Sequence, residues 1–178
     1  MSKEKVKELF HKNIMLIGFM GTGKSTVSSY LKNWLDMEEV DLDAMIVKKT
    51  SMSIPDIFEK YGEAHFRDLE TETLLDVQKR EQLIVSCGGG IVLREENVEA
   101  MKANGKIVLL TATPKTVYER VKDSKNRPIL NGNMNVEYIE QLMEKRRECY
   151  LKCADIIIAT DGKSVKQIGE ELVQKLLA

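Results

Sequence analysis

The sequence predicts an α/β protein built as a three-layer sandwich, with a five-stranded parallel sheet between two layers of helices. Three observations predict it. Short, continuously apolar runs suit strands buried on both faces, as a parallel sheet requires. Longer amphipathic stretches separate these runs, supplying the crossover helices. The chain has 178 residues, 43% hydrophobic and 31% charged, which suits one domain over residues 1–178 with a full-sized core.

The elements follow in order. Residues 1–12 are studded with Lys and Glu; they resemble no signal peptide and promise no apolar core. Asn13 to Gly18 reads as the first buried strand and Lys24 to Leu35 as a helix. Glu38 to Asp43 holds a second strand. Ser53 is placed to cap a helix, with Asp56 completing a capping box; Gly62 stops that helix near Tyr61. Glu63 to Arg80 is a long amphipathic helix. Leu83 to Cys87 is a third strand, ending in Gly88-Gly89-Gly90. A helix over 97–103 leads to a fourth strand at 106–110, and Pro114 to Lys122 forms the next helix. Asp123 to Asn135 is polar and loop-like, a length that is usually functional inside a compact domain. Helix 136–152, strand 155–159 and helix 164–177 complete the chain.

Composition excludes several classes. With 27 Lys plus Arg against 28 Asp plus Glu, the net charge of −1 offers no bulk electrostatic grip on nucleic acid. No apolar run approaches the roughly 20 residues of a membrane span. Three cysteines, an odd count, make no disulfide framework and fit a reducing cytosol. Cys149 and Cys153 share a helix face, but no Cys or His cluster accompanies them, so packing outweighs zinc binding.

Gly18-Phe19-Met20-Gly21-Thr22-Gly23-Lys24-Ser25 matches G-x-x-x-x-G-K-[ST] between a strand and a helix, the context that motif needs. About 0.01 chance matches are expected in a chain of this size and composition. Glycines let several backbone N–H groups turn toward phosphate oxygens, and the helix N-terminus adds partial positive charge. Lys24 would reach the β- and γ-phosphates, and the Ser25 hydroxyl would ligate Mg²⁺. A dinucleotide fingerprint is excluded, because Thr26 stands where its third glycine belongs.

A nucleotide site does not name a reaction. A small-molecule kinase and a switch-type nucleoside triphosphatase compete here. The switch strings N-K-x-D and D-x-x-G are both absent. Asp41 and Asp43 lie at the end of the second strand, the ligand-bearing edge of an open parallel sheet. On an extended chain they face one side. Gly88-Gly89-Gly90 ends a strand on the same edge and permits close approach of a ligand to backbone. Only seven arginines, at 67, 80, 94, 120, 127, 146 and 147, stand among 20 lysines; composition alone selects none of them.

These strings together resemble the shikimate kinases over nearly the whole chain. They run in family order: G-F-M-G-T-G-K-S-T at 18–26, D-L-D at 41–43, and M-S-I-P-D-I-F-E-K-Y-G-E-A-H-F-R-D-L-E at 52–70. G-G-G at 88–90, R-P-I-L at 127–130 and R-x-x-x-Y from Arg146 to Tyr150 follow. The resemblance implies transfer of the γ-phosphate of ATP to the 3-hydroxyl of shikimate. It also implies the P-loop kinase fold of the nucleoside monophosphate kinase group, with sheet order 2-3-1-4-5. Residues Gly21, Thr22, Gly23, Lys24, Ser25 and Thr26 would hold the ATP phosphates, and Arg120 would stack on adenine. Asp41 would hold Mg²⁺ through water. Asp43 would bind the shikimate hydroxyls and accept a proton; Arg67 and Arg146 would clamp the carboxylate; Gly88, Gly89 and Gly90 would offer backbone contacts. Arg127, on a lid at about 123–135, would meet the phosphates, and a helical segment at about 42–70 would bind substrate. The spacing to Tyr150 favours Arg146 over its neighbour Arg147. The expected partners are shikimate and ATP, with no nucleic acid and no membrane, and the chain is expected to be a cytoplasmic monomer. A gluconate-type or nucleoside monophosphate kinase on the same scaffold is the nearest alternative.

Overall fold

The computed structural model describes residues 3–124, 130 and 132–178. Its centre is a five-stranded sheet in the order β2-β3-β1-β4-β5, with every neighbouring pair parallel. The strands are β1 (Asn13–Ile17), β2 (Glu38–Asp41), β3 (Leu83–Ser86), β4 (Gly105–Thr111) and β5 (Ile156–Ala159). The helices are α1 (Lys3–Leu9), α2 (Lys24–Leu35), α3 (Leu42–Thr50), α4 (Ile54–Val77), α5 (Glu95–Asn104), α6 (Pro114–Val121), α7 (Val136–Cys153) and α8 (Val165–Leu177). Among the described residues no helix is long and apolar enough to cross a membrane.

The period-two alternation of strand side chains sorts the core into two layers. Ile14 and Leu16 of β1, with Val108 and Leu110 of β4, pack beneath α2 and α8 through Leu31, Leu35, Ile168 and Leu172. Met15 and Ile17, with Ile107 and Leu109, pack on the other face against α4 to α7 through Leu74, Met101, Val117 and Ile139. All five β1 residues are buried, which is why the run reads as continuously apolar. Cys153 joins the second layer and Cys149 packs against it. A third, smaller cluster of Ile46, Ile57 and Phe66 ties α3 to α4.

Five local expectations need correction. The second strand stops at Asp41 and α3 begins at Leu42, because the Asp41 side chain caps it by accepting from the Ala44 N–H at 2.9 Å. Asp41 and Asp43 therefore do not share one face of an extended strand. The N-terminal segment does reach the core: Val6 and Phe10, four apart, are buried under α2 and α8. Ser53 caps α4 through the Asp56 N–H, but the Asp56 carboxylate takes its bond from the Ser53 hydroxyl; the reciprocal capping box sits instead at Ser164 and Gln167. The long helix ends at Val77 rather than Arg80; the Asn13 and Asn104 side chains donate to the turn carbonyls of Gln78 and Arg80, and the Gln78 side chain donates to the Ala100 carbonyl of α5. Gly62 interrupts α4 as a kink, with φ 82° and ψ 172°.

Candidate active site

The turn from β1 into α2 places backbone donors at the sheet's carboxyl edge. Gly23, at φ 98°, occupies the N-cap position with no side-chain cap on the helix. An L-residue other than glycine is strained there, and the first N–H groups of α2 are left for a ligand. The Thr22 hydroxyl is buried and donates to the Phe19 carbonyl at 2.8 Å, so its side chain braces the loop from inside. Lys24 Nζ donates to the carbonyls of Gly18 at 2.8 Å and Phe19 at 3.0 Å. Ser25 and Thr26 are exposed at the start of α2.

These residues line a cavity of about 500 Å³ that also includes Asp41, Asp43, Cys87, Gly88, Gly89 and Arg120. Burial pushes the Cys87 thiol up, so it is a neutral wall of the cavity. Arg120 donates to the Gly21 carbonyl at 3.0 Å and to Thr160 Oγ1 at 3.2 Å, binding α6 to the phosphate loop and to the turn after β5. Thr160 and Lys163 of that turn line the cavity too. Neither belongs to any of the motifs named from the sequence; both lie in the Ala159-Thr160-Asp161-Gly162-Lys163-Ser164 segment after β5.

Past Gly88 the lining becomes charged. A Cβ on Gly88 would lie 2.5 Å from Glu70 Oε1 and 3.0 Å from Asp43 Oδ1, and one on Gly90 would overlap the Arg67 guanidinium. One on Gly89 would lie 3.5 Å from Arg146 Nη1. The triple glycine thus lies flush against two carboxylates and two arginines. Both arginines are buried, 7% exposed for Arg67 and 8% for Arg146. Arg146 lies over the Phe19 ring, whereas Arg147 is exposed and pairs with Glu144 at 3.5 Å. Position 146, not 147, is therefore the one turned toward the glycines.

Glu70 is the residue that the sequence reading quoted but left without a role. It pairs with Arg67 Nη1 at 2.5 Å while its other oxygen, Oε1, is buried without a hydrogen-bond partner. Its spacing of three residues from Arg67 along α4 was the available signal. Burial pushes the Glu70 carboxyl above its ordinary value; Arg67 pulls it down and Asp43 pushes it further up. Burial works against the charge on Arg67, but Glu70 and Glu63 outweigh it and hold its pKa up. Glu63 takes the other side of the guanidinium, accepting from Nη2 at 3.0 Å and Nε at 3.3 Å. Its side chain is 54% exposed, so it is the partner that an incoming anion can displace.

The donor set is chemically suited to a nucleoside triphosphate with a hard divalent cation. The lining carries the uncapped N-terminus of α2 and the Lys24 ammonium, while a hydroxyl (Ser25) and a carboxylate (Asp41) offer oxygen ligands. Asp41 spends Oδ1 on capping α3. Arg127 lies outside the described residues.

Comparison with known proteins decides the family. The shikimate kinase family model matches residues 20–177. The chain belongs to the shikimate kinase family. Its relatives include shikimate kinases of Thermodesulfovibrio yellowstonii, 40% identical over 92% of this chain and 94% of that protein, and of a Sulfurihydrogenibium species, 43% identical over 93% and 98%. A solved shikimate kinase from Acinetobacter baumannii, in complex with shikimate, superimposes with a TM-score of 0.92 at 32% identity, covering 98% of this chain and 97% of that one. Family membership makes the chain a kinase on the P-loop fold, with ATP as co-substrate. The sheet order, expected from the resemblance, is the one observed.

Proposed function

We propose that the chain transfers the γ-phosphate of ATP to the 3-hydroxyl of shikimate, giving shikimate 3-phosphate and ADP. One observation carries this reading. A single cavity joins the phosphate loop to Asp43 and the glycine turn, with two buried arginines directly behind the glycines. The acceptor's carboxylate is taken by Arg67 and Arg146, Glu63 yielding its place on Arg67. Charge-assisted bonds of this kind are strong and directional. Gly88, Gly89 and Gly90 contact the ring through backbone, and Asp43 accepts a bond from the hydroxyl and takes its proton as the new O–P bond forms. Lys24 exchanges the Gly18 and Phe19 carbonyls for phosphate oxygens. Gly21, Thr22, Gly23 and Thr26 hold the phosphates through the turn, and Arg120 borders the adenine. Mg²⁺ would be held by Ser25 and, through water, Asp41, and when bound it neutralises charge on the phosphates. Arg127 is assigned to the γ-phosphate on the resemblance alone.

Small-molecule partners suit the near-neutral charge of −1. A cytoplasmic monomer acting as one domain, with neither nucleic acid nor membrane as partner, completes the reading; sedimentation checks the oligomeric state. The activity is tested by coupled ADP release with shikimate, gluconate and nucleoside monophosphates as acceptors. Release with shikimate alone is expected. Release with another acceptor, or release indifferent to acceptor as for a nucleotide switch, overturns the reading.

A further inference from the structure

We propose that Tyr150 is a positioning residue that couples the Arg146 end of α7 to the triple-glycine turn, so that the acceptor carboxylate and ring contacts form as one unit. The proposal rests on the acceptor assignment made above. Its ground is a contact that the nucleotide and acceptor roles leave unused. The Tyr150 hydroxyl donates a hydrogen bond to the Gly89 carbonyl, across 61 residues of sequence. Tyr150 follows Arg146 by four residues on α7, so both side chains project from one face, one turn apart. The Arg146 guanidinium also lies against Gly89, its Nη1 3.5 Å from where a Cβ would stand. Three groups from two elements, Arg146, Tyr150 and the Gly89 peptide, therefore meet at one point.

The geometry has a consequence for the turn. Gly88 to Gly90 have no side chains to hold them, and glycine peptides reorient easily. A trans peptide unit carries its C=O and N–H on opposite sides. Anchoring the Gly89 carbonyl toward α7 turns the Gly90 N–H the other way and fixes that peptide plane. Tyr150 can serve as a dependable donor because it is protonated throughout the neutral range: burial pushes its phenol up to about 12 against the opposing pull of Arg146. The residue is 5% exposed and packs in the core layer, so its ring is structural, while its hydroxyl donates to Gly89 and also stands in hydrogen-bond contact with the Arg146 side chain. Those two roles are separable by substitution.

Tyr150→Phe keeps the ring and removes the donor. With the intact chain, shikimate KM is expected to rise about tenfold, the ATP KM to stay within twofold and kcat to fall less than threefold, since a buried carbonyl loses its partner while the phosphate loop is untouched. Arg146→Met supplies the second arm. Because Tyr150 works through the same unit as Arg146, adding Tyr150→Phe to Arg146→Met is expected to change shikimate KM by less than twofold, a non-additive cycle. A purely structural tyrosine gives additive effects, or lowers thermal stability without moving shikimate KM, and either result overturns the proposal. If Tyr150→Phe does not fold, Tyr150→Leu, which keeps an apolar side chain and also removes the donor, is measured in the same cycle. No shikimate turnover by the unaltered chain sinks the acceptor assignment and the coupling with it. Turnover by the unaltered chain with shikimate KM unmoved in Tyr150→Phe sinks the coupling alone.

Discussion

Adding one methyl group at Gly90 isolates the contact between the glycine turn and Arg67, one half of the proposed carboxylate clamp. Gly90 has φ −99° and ψ 3°, so alanine meets no backbone obstacle there. The obstacle is Arg67: an added Cβ would lie 2.3 to 2.4 Å from three atoms of its guanidinium. Comfortable carbon contact needs about 3.5 Å, so the guanidinium must retreat by roughly 1 Å. It cannot take its partner along, because Glu70 is 1% exposed and fixed between α4 and the glycines. Overpacking of this kind costs about 1–3 kcal/mol, which for a domain of this size lowers Tm by about 2–12 °C. A misplacement of about 1 Å in a substrate-positioning group costs about a hundredfold in rate. Gly90→Ala is therefore expected to lower kcat/KM for shikimate about a hundredfold in a coupled ADP-release assay, with the ATP KM unchanged. A soluble Gly90→Ala chain with shikimate kcat/KM within twofold of the original refutes the reasoning, since Arg67 would then be dispensable where it stands.

The other expectations concern the same two ends of the cavity. Lys24→Met abolishes transfer in the ADP-release assay but leaves the circular dichroism spectrum unchanged, because its ammonium bonds backbone carbonyls of the phosphate loop, those of Gly18 and Phe19, and the sheet and helices stand without it; near-normal turnover refutes its role. Arg67→Ala weakens shikimate binding by about 2–5 kcal/mol and, because it leaves the Glu70 carboxylate buried without its cation, destabilises the fold by about 3–5 kcal/mol; calorimetry and urea denaturation read the two losses separately, and unchanged shikimate affinity would show the clamp to be misplaced. Glu70 gives a pH signature. Its folded pKa is raised above the ordinary 4.5, so its contribution is fully present below that value and is lost as pH rises through the raised one. The stability of the unaltered chain relative to Glu70→Gln should fall with rising pH above 4.5, and parallel pH profiles in urea titrations would contradict this.

What the sequence disclosed depended on how local the signal was. The phosphate loop was legible because glycines, Lys24 and Ser25 lie within eight residues and sit between a wholly buried strand and a helix. The central strands β1, β3 and β4 were legible because strands covered on both faces leave no polar alternation to confuse; the edge strands β2 and β5 are partly exposed. Asp41 and Asp43 were placed at the right edge for an incomplete reason: D-L-D read as extended chain, whereas Asp41 ends the strand by capping α3. The spacing of Leu42 and Ile46, four apart and both buried in α3, was the missed sign. Glu70 escaped because its importance comes from burial against Gly88 and Arg67, and burial is a property of the fold. Which of Arg146 and Arg147 faces the glycine turn likewise depends on the rotation of α7: Arg146 lies over Phe19, and Arg147 is turned out to Glu144.

The most direct test compares turnover of shikimate with that of its methyl ester, which keeps the ring and hydroxyls but removes the negative charge. Two buried arginines behind the glycine turn predict rapid ADP release with shikimate and a kcat/KM at least a hundredfold lower with the ester, a loss of about 2.7 kcal/mol or more. Equal turnover of the two compounds, or none with shikimate, would contradict the account at its centre.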